Sequence, residues 1–182
     1  MKTTRYVALF RGINVGRAKR VAMADLRALI EGLGYADVHT LLNSGNVVFS
    51  ASAATAGNAA SRIEVSLAKK LGVSARVMLL TAAELAGIVV ENPMLEIADD
   101  PSRLLVAVLS DSTDRAKLGP LLEQDWAPDA LAIGSRVAYV WCSGGILESR
   151  LAQAVGRALG NAATTRNWAT ILKLHALIHD NA

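Results

Sequence analysis

The chain has 182 residues, of which 52% are hydrophobic and 19% are charged, and its net charge is +3. This composition excludes a disordered chain, and the length suits one domain or two small ones. No apolar run reaches the roughly 20 residues that a membrane-spanning helix needs, so we expect no membrane association. The N-terminus lacks the apolar core of a signal peptide, and a single cysteine, Cys142, excludes a disulfide framework. We therefore expect a cytoplasmic protein.

Apolar runs and helical periods alternate along the first half of the chain. Strands are predicted at Arg5–Phe10, Val38–Leu42, Val47–Ser50 and Val73–Leu80. Two helices are predicted over the apolar stripes Met23–Leu33 and Ile63–Leu71, and Ala53–Ala60 is predicted to be a loop. The order β-α-β-β-α-β is the split βαβ plan of a ferredoxin-like unit.

The second half repeats this order of elements. Thr81 and Glu84 form the sequence signature of a capping box, which predicts a connecting helix to about Val90. Further strands are predicted at Arg103–Leu109, Leu131–Ile133, Val137–Trp141 and Asn161–Thr164, and further helices at Thr113–Leu122, Ser149–Leu159 and Arg166–His179. We therefore predict an α+β fold of two tandem ferredoxin-like units with antiparallel sheets and a C-terminal helix. The predicted domains are residues 1–90 and 91–182.

The first candidate binding segment is Arg11-Gly12-Ile13-Asn14-Val15-Gly16, which directly follows the first strand. Its glycines allow backbone amides to approach a ligand closely, and the planar fork of Arg11 suits phosphate or carboxylate. The segment is neither a Walker loop nor a dinucleotide-binding glycine pattern. It can equally be a strand-to-helix turn in which Asn14 hydrogen-bonds locally.

The second candidate segment is Asn43-Ser44-Gly45-Asn46, between two predicted strands. These residue types also favour a tight hairpin turn. Ser44 has no histidine nearby in sequence and lies outside a Gly-x-Ser-x-Gly elbow, which argues against a nucleophile. Ser44 and Asn46 are therefore candidates for orienting a ligand through hydrogen bonds.

The third candidate segment is Thr164-Thr165-Arg166-Asn167-Trp168, at the start of the last predicted helix. Thr164 or Thr165 can cap that helix, and a helix N-terminus beside Arg166 is favourable for an anion. Capping explains the threonines and leaves Arg166 and Asn167 as candidate ligand-binding residues.

Two other patterns bear on function. His175 and His179 lie four residues apart, but the glutamate of the zinc-protease motif is missing, and we expect neither a metal nor a cofactor. The first twenty residues carry only basic charges, at Lys2, Arg5, Arg11, Arg17, Lys19 and Arg20. This basic segment permits binding of an anion or a nucleic acid.

The three polar segments, together with Tyr6–Phe10 and Val47–Phe49, resemble the bacterial domain-of-unknown-function family 1697 in order and spacing. The resemblance implies a two-unit α+β fold, and it implies no established activity, substrate or cofactor. The chain departs from the family's usual pattern at Arg17-Ala18-Lys19-Arg20 and near Cys142, where a proline is common.

The leading hypothesis from the sequence is binding of a small anionic ligand, and a phosphorylated compound is one such ligand. Arg11 and Arg166 would pair with its charge, and Asn14, Ser44, Asn46 and Asn167 would orient it. One alternative is a nucleic-acid-binding module, although Tyr6, Phe10 and Phe49 are the only aromatic residues in the first unit's predicted strands. The other is a non-catalytic interaction or scaffold protein. Whether the protein is an enzyme, and its oligomeric state, stay open.

Overall fold

A computed structural model of the protein describes residues 3–180. The strands in this range are β1 (Thr3–Arg11), β2 (Ala36–Leu41), β3 (Asn46–Ser52), β4 (Arg76–Thr81), β5 (Leu104–Leu109), β6 (Ala130–Ile133), β7 (Val137–Trp141) and β8 (Ala163–Asn167). The α-helices are α1 (Met23–Glu31), α2 (Ala53–Ala56), α3 (Ala59–Ser66), α4 (Ala82–Val90), α5 (Gly119–Leu122), α6 (Arg150–Leu159) and α7 (Trp168–Asp180). The predicted α+β class and C-terminal helix are confirmed.

The chain divides into two compact units. The first comprises residues up to Leu85 together with those from Leu174, and the second comprises Ala86–Lys173. Each contains a four-stranded antiparallel sheet, ordered β2-β3-β1-β4 in the first and β6-β7-β5-β8 in the second. The antiparallel sheets are as predicted, and both strand orders are consistent with ferredoxin-like units. The boundaries 1–90 and 91–182 stay a prediction.

Helices α1 and α3 of the first unit pack on one face of its sheet. Strand residues alternate between the two faces, so Ala8 and Phe10 of β1 join Phe49 of β3 in a buried cluster with α1 and α3. Phe49 also contacts the Tyr35 ring, with centroids 4.7 Å apart. Arg11 alternates with Phe10 and therefore projects from the opposite face of the sheet.

Helix details depart from the sequence prediction in two places. The predicted loop Ala53–Ala60 contains α2 and the start of α3. Five of its eight residues are alanines, which favour helix: three lie in α2 and two begin α3. The predicted helix Thr113–Leu122 is a 3-10 helix over Ser112–Leu118 followed by the short α5, which has a proline in its first turn.

The capping box at the start of α4 is confirmed. The Thr81 hydroxyl accepts a hydrogen bond from the Glu84 backbone N–H at 3.1 Å, and the Glu84 carboxylate accepts one from the Thr81 backbone N–H at 2.8 Å. Two donors at the helix N-terminus are thereby satisfied.

Candidate anion-binding site

The loop between β1 and α1 alternates the sign of its backbone φ angle. Gly12, Asn14 and Gly16 have φ of 75°, 56° and 55°, and the residues between them have negative φ. Alternating left- and right-handed residues can turn consecutive backbone N–H groups toward one side, forming an anion-binding nest. Among residues 3–180, the N–H groups of Asn14, Gly16 and Arg17 find no hydrogen-bond acceptor. The loop therefore has backbone donors available for a ligand.

The Asn14 side chain fastens this loop to the rest of the first unit. Its Nδ2 donates to the carbonyl oxygens of Val21 and Asn43, both at 2.9 Å, and its Oδ1 accepts from the Val21 N–H at 2.7 Å. Both amide hydrogens are used, and asparagine tolerates the left-handed conformation. Asn14 therefore determines the position of the loop.

The turn between β2 and β3 lies against the same loop. The Gly45 carbonyl accepts from the Phe10 N–H at 2.9 Å. A Cβ on Gly45 would lie 2.5 Å from Ile13 Cδ1, and Gly45 has a φ of 81°, so only glycine fits this approach. The fully buried Asn46 donates to the Leu41 carbonyl at 2.8 Å and to the exposed Ser44 hydroxyl at 3.0 Å. The first two polar segments thus meet in space.

Arg11 ends β1 beside this loop and faces a second arginine. It is half-buried, and it is the register partner of Arg76 at the start of β4. Directly opposite residues of antiparallel strands project from the same face. Sequence reasoning missed Arg76, because a single arginine before an apolar strand gives no signal until the register pairs it with Arg11.

Three exposed cations follow in the loop, namely Arg17, Lys19 and Arg20. The Lys19 ammonium donates to the Leu71 carbonyl at 2.8 Å, and the Arg20 guanidinium donates to the Asn14 carbonyl at 2.5 Å. Lys2, which the sequence placed in this basic segment, lies outside the described residues. The loop end of the first sheet thus carries several positive charges.

The third polar segment belongs to the second unit. Arg166 is buried within β8, where its guanidinium donates to the Thr164 hydroxyl at 3.0 Å and to the Thr165 carbonyl at 2.8 Å. Burial lowers the pKa of Arg166 to about 10. A cation in this position is partly desolvated and favours an anionic neighbour.

The structure corrects the predicted cap of the last helix. Thr164 and Thr165 pair with β5 as part of β8, so their backbone continues the sheet. The cap is Asn167, whose Oδ1 accepts from the backbone N–H of Thr170 at 3.0 Å and from its hydroxyl at 2.8 Å. Strand β8 ends at Asn167 and α7 begins at Trp168, so Asn167 occupies the N-cap position.

Several other chemistries find no support in the part of the chain that the structure describes. No three side chains of the histidine, cysteine or carboxylate type lie together as they would around a metal ion. Burial raises the pKa of the Cys142 thiol, which disfavours the reactive thiolate. Across residues 3–180, no helix combines the length and the apolar character that crossing a bilayer requires.

The comparison with protein families matches residues 3–139 to the family described as "Protein of unknown function (DUF1697)". The chain belongs to this family. The matched range contains the Arg11–Gly16 and Asn43–Asn46 segments and ends before the Thr164–Trp168 segment. The resemblance predicted from the motifs is thereby confirmed at the level of the family.

A solved structure has the same fold as the present protein. It is described as the structure of conserved bacterial protein SP0830 from Streptococcus pneumoniae, with a TM-score of 0.73 and 22% identity. The alignment covers 97% of this chain and 99% of the other. At this identity the likeness shows the fold. No curated protein matches the chain.

Proposed function

We propose that this protein binds a small anionic ligand, in the simplest case a phosphate group, at the Arg11–Gly16 loop of the first unit. The alternating φ signs at Gly12, Asn14 and Gly16 support the proposal most directly, because anion nests are built from residues whose handedness alternates in this way. Arg11, a half-buried residue with a cationic guanidinium, directly precedes these donors. Charge-assisted hydrogen bonds of this kind are among the strongest that a protein makes.

The other predicted residues divide into contacting and supporting roles. Ser44 is exposed beside the loop, and its hydroxyl donates a hydrogen bond to the ligand. Asn14 and Asn46 use their amides within the unit, so they hold the loop and the turn in the binding geometry. Arg166 and Asn167 lie in the second unit and stay predicted ligand-binding residues, with Asn167 already capping α7.

The proposal is tested by calorimetric titration of inorganic phosphate into the wild type, Arg11→Ala and Arg27→Ala. Arg27 is a matched control, because it lies on the exposed side of α1 and pairs with Glu31 at 2.8 Å. Removing one charge-assisted contact costs about 1.5–3 kcal/mol, roughly ten- to a hundredfold in affinity. We expect that loss in Arg11→Ala alone. Equal affinities in all three proteins, or no phosphate binding by the wild type, would contradict the proposal.

Nucleic-acid binding is the second candidate, and the cations of the loop favour it. Arg17, Lys19 and Arg20 are exposed and could contact a phosphate backbone. The aromatic residues argue against base stacking, since Phe49 is fully buried and Tyr6 is half-buried against it, with centroids 5.8 Å apart. Binding to short RNA that weakens steeply with salt would support this candidate. If no ligand binds and Arg11→Ala only lowers stability, the result would support the third alternative, a non-catalytic interaction or scaffold protein.

A further inference from the structure

Two arginines stand opposite each other at one end of the first sheet. Arg11 ends β1 and Arg76 begins β4, and they are register partners. Val77 belongs to the cluster packed against α1 and α3, so the alternation of the strand directs Arg76 to the other face, as it does Arg11. The two guanidinium groups therefore project from one face, beside the alternating loop that begins at Gly12.

Folding alone does not account for Arg76. Like charges directly opposite each other in a sheet are destabilising. The Arg76 side chain is exposed, and among residues 3–180 it has no ion pair or hydrogen bond. Glu64, the acid that reaches this part of β4, comes from α3 and accepts from the Val77 N–H at 2.8 Å. A ligand with sufficient negative charge would turn the unfavourable pair into a favourable one.

We propose that Arg76 is a second anion-binding arginine, and that the ligand carries two linked phosphate groups. This inference rests on the proposed function, since it places one phosphate on the loop N–H groups and Arg11. The neighbouring phosphate then pairs with Arg76. Each guanidinium offers a planar fork that matches phosphate oxygens, so two forks side by side fit a diphosphate better than a single phosphate.

The test compares inorganic phosphate, pyrophosphate, ADP and a ten-nucleotide single-stranded RNA by calorimetry at constant ionic strength. The proteins are the wild type, Arg76→Ala and Arg157→Ala. Arg157 is the matched control, because it is exposed on α6 and makes no ion pair in the described part of the chain. Urea unfolding of each variant shows whether it folds normally.

We expect the wild type to bind pyrophosphate at least tenfold more tightly than phosphate. Arg76→Ala should lose ten- to a hundredfold in affinity for pyrophosphate while keeping its affinity for phosphate, and Arg157→Ala should match the wild type. ADP that binds as tightly as pyrophosphate identifies a nucleotide as one source of the diphosphate.

Two results would overturn the inference and leave the proposed function intact. One is equal affinity for phosphate and pyrophosphate with no effect of Arg76→Ala. The other is binding of the ten-nucleotide RNA that is tighter than the binding of pyrophosphate. A wild type that binds neither phosphate nor pyrophosphate would instead overturn the proposed function and this inference with it.

Discussion

Replacing Asn14 with alanine tests whether the first polar loop depends on the hydrogen bonds of one side chain. The substitution removes three hydrogen bonds, to Val21 O, Val21 N and Asn43 O, with distances of 2.7–2.9 Å. A hydrogen bond contributes about 0.5–1.5 kcal/mol net to stability. Alanine in the left-handed conformation costs roughly 1 kcal/mol of conformational energy, which asparagine and glycine largely avoid. Because Asn14 is half-buried and water can replace part of the loss, we expect a destabilisation of about 2–4 kcal/mol.

Two further variants separate the contributions. Asn14→Gly loses the same hydrogen bonds but tolerates the φ of 56°, so it should be about 1 kcal/mol more stable than Asn14→Ala. Asn161→Ala is the control, since Asn161 is exposed, and a surface substitution of this kind changes stability by at most about 0.5 kcal/mol. Free energies of unfolding come from urea titration followed by circular dichroism. If Asn14→Ala and Asn161→Ala unfold at the same urea concentration, the assignment of Asn14 as the fastener of the loop is wrong.

Three more substitutions test other parts of the fold. Gly45→Ala should lower the free energy of unfolding by more than about 2 kcal/mol in a urea titration, because the added methyl group would overlap neighbouring side chains at a positive φ. Gly57→Ala is the control and should be nearly neutral, since Gly57 lies in open space at negative φ. Asn167→Ala should lower stability by about 1 kcal/mol through loss of the α7 cap, and Asn167→Ser should restore most of it; equal losses in both would exclude capping. Burial raises the pKa of Tyr139 from 10.0 to about 12, so the unfolded chain releases this proton first and stability should fall between those pH values. Tyr139→Phe should flatten that fall in thermal unfolding measured across the same range, and an unchanged slope would refute the assignment.

Local patterns predicted the fold well because they depend on neighbours in sequence. Strand β7 has the predicted bounds Val137–Trp141, and the Thr81–Glu84 capping box forms as its spacing indicated. The order of elements then restricts the sheet to few topologies. Helix type was harder to predict, since Ser112–Leu118 is 3-10 rather than α. That choice depends on the following Gly119 and Pro120 and on packing, which periodicity does not report.

The candidate site was less predictable, because its geometry depends on residues distant in sequence. The spacing of Arg11–Gly16 indicated a binding loop, but the contact between Asn14 and Asn43 spans 29 positions. Arg76 acquires its meaning only from its pairing with Arg11, which is a property of the register. A propensity argument cannot fix a register without the partner strand.

The turn and ligand interpretations of the first loop are compatible, and their consequences can be measured separately. A nest binds an anion well only if its N–H groups are held in place beforehand, because ordering a loose loop would consume part of the binding free energy. The bonds of Asn14 provide that order, so Asn14→Gly should lower both stability and phosphate affinity. Arg76→Ala should lower diphosphate affinity while leaving stability unchanged or slightly higher, since it relieves a like-charge pair. A loss of stability in Asn14→Gly with none in Arg76→Ala would distinguish a residue that holds the loop in shape from one that contacts the ligand.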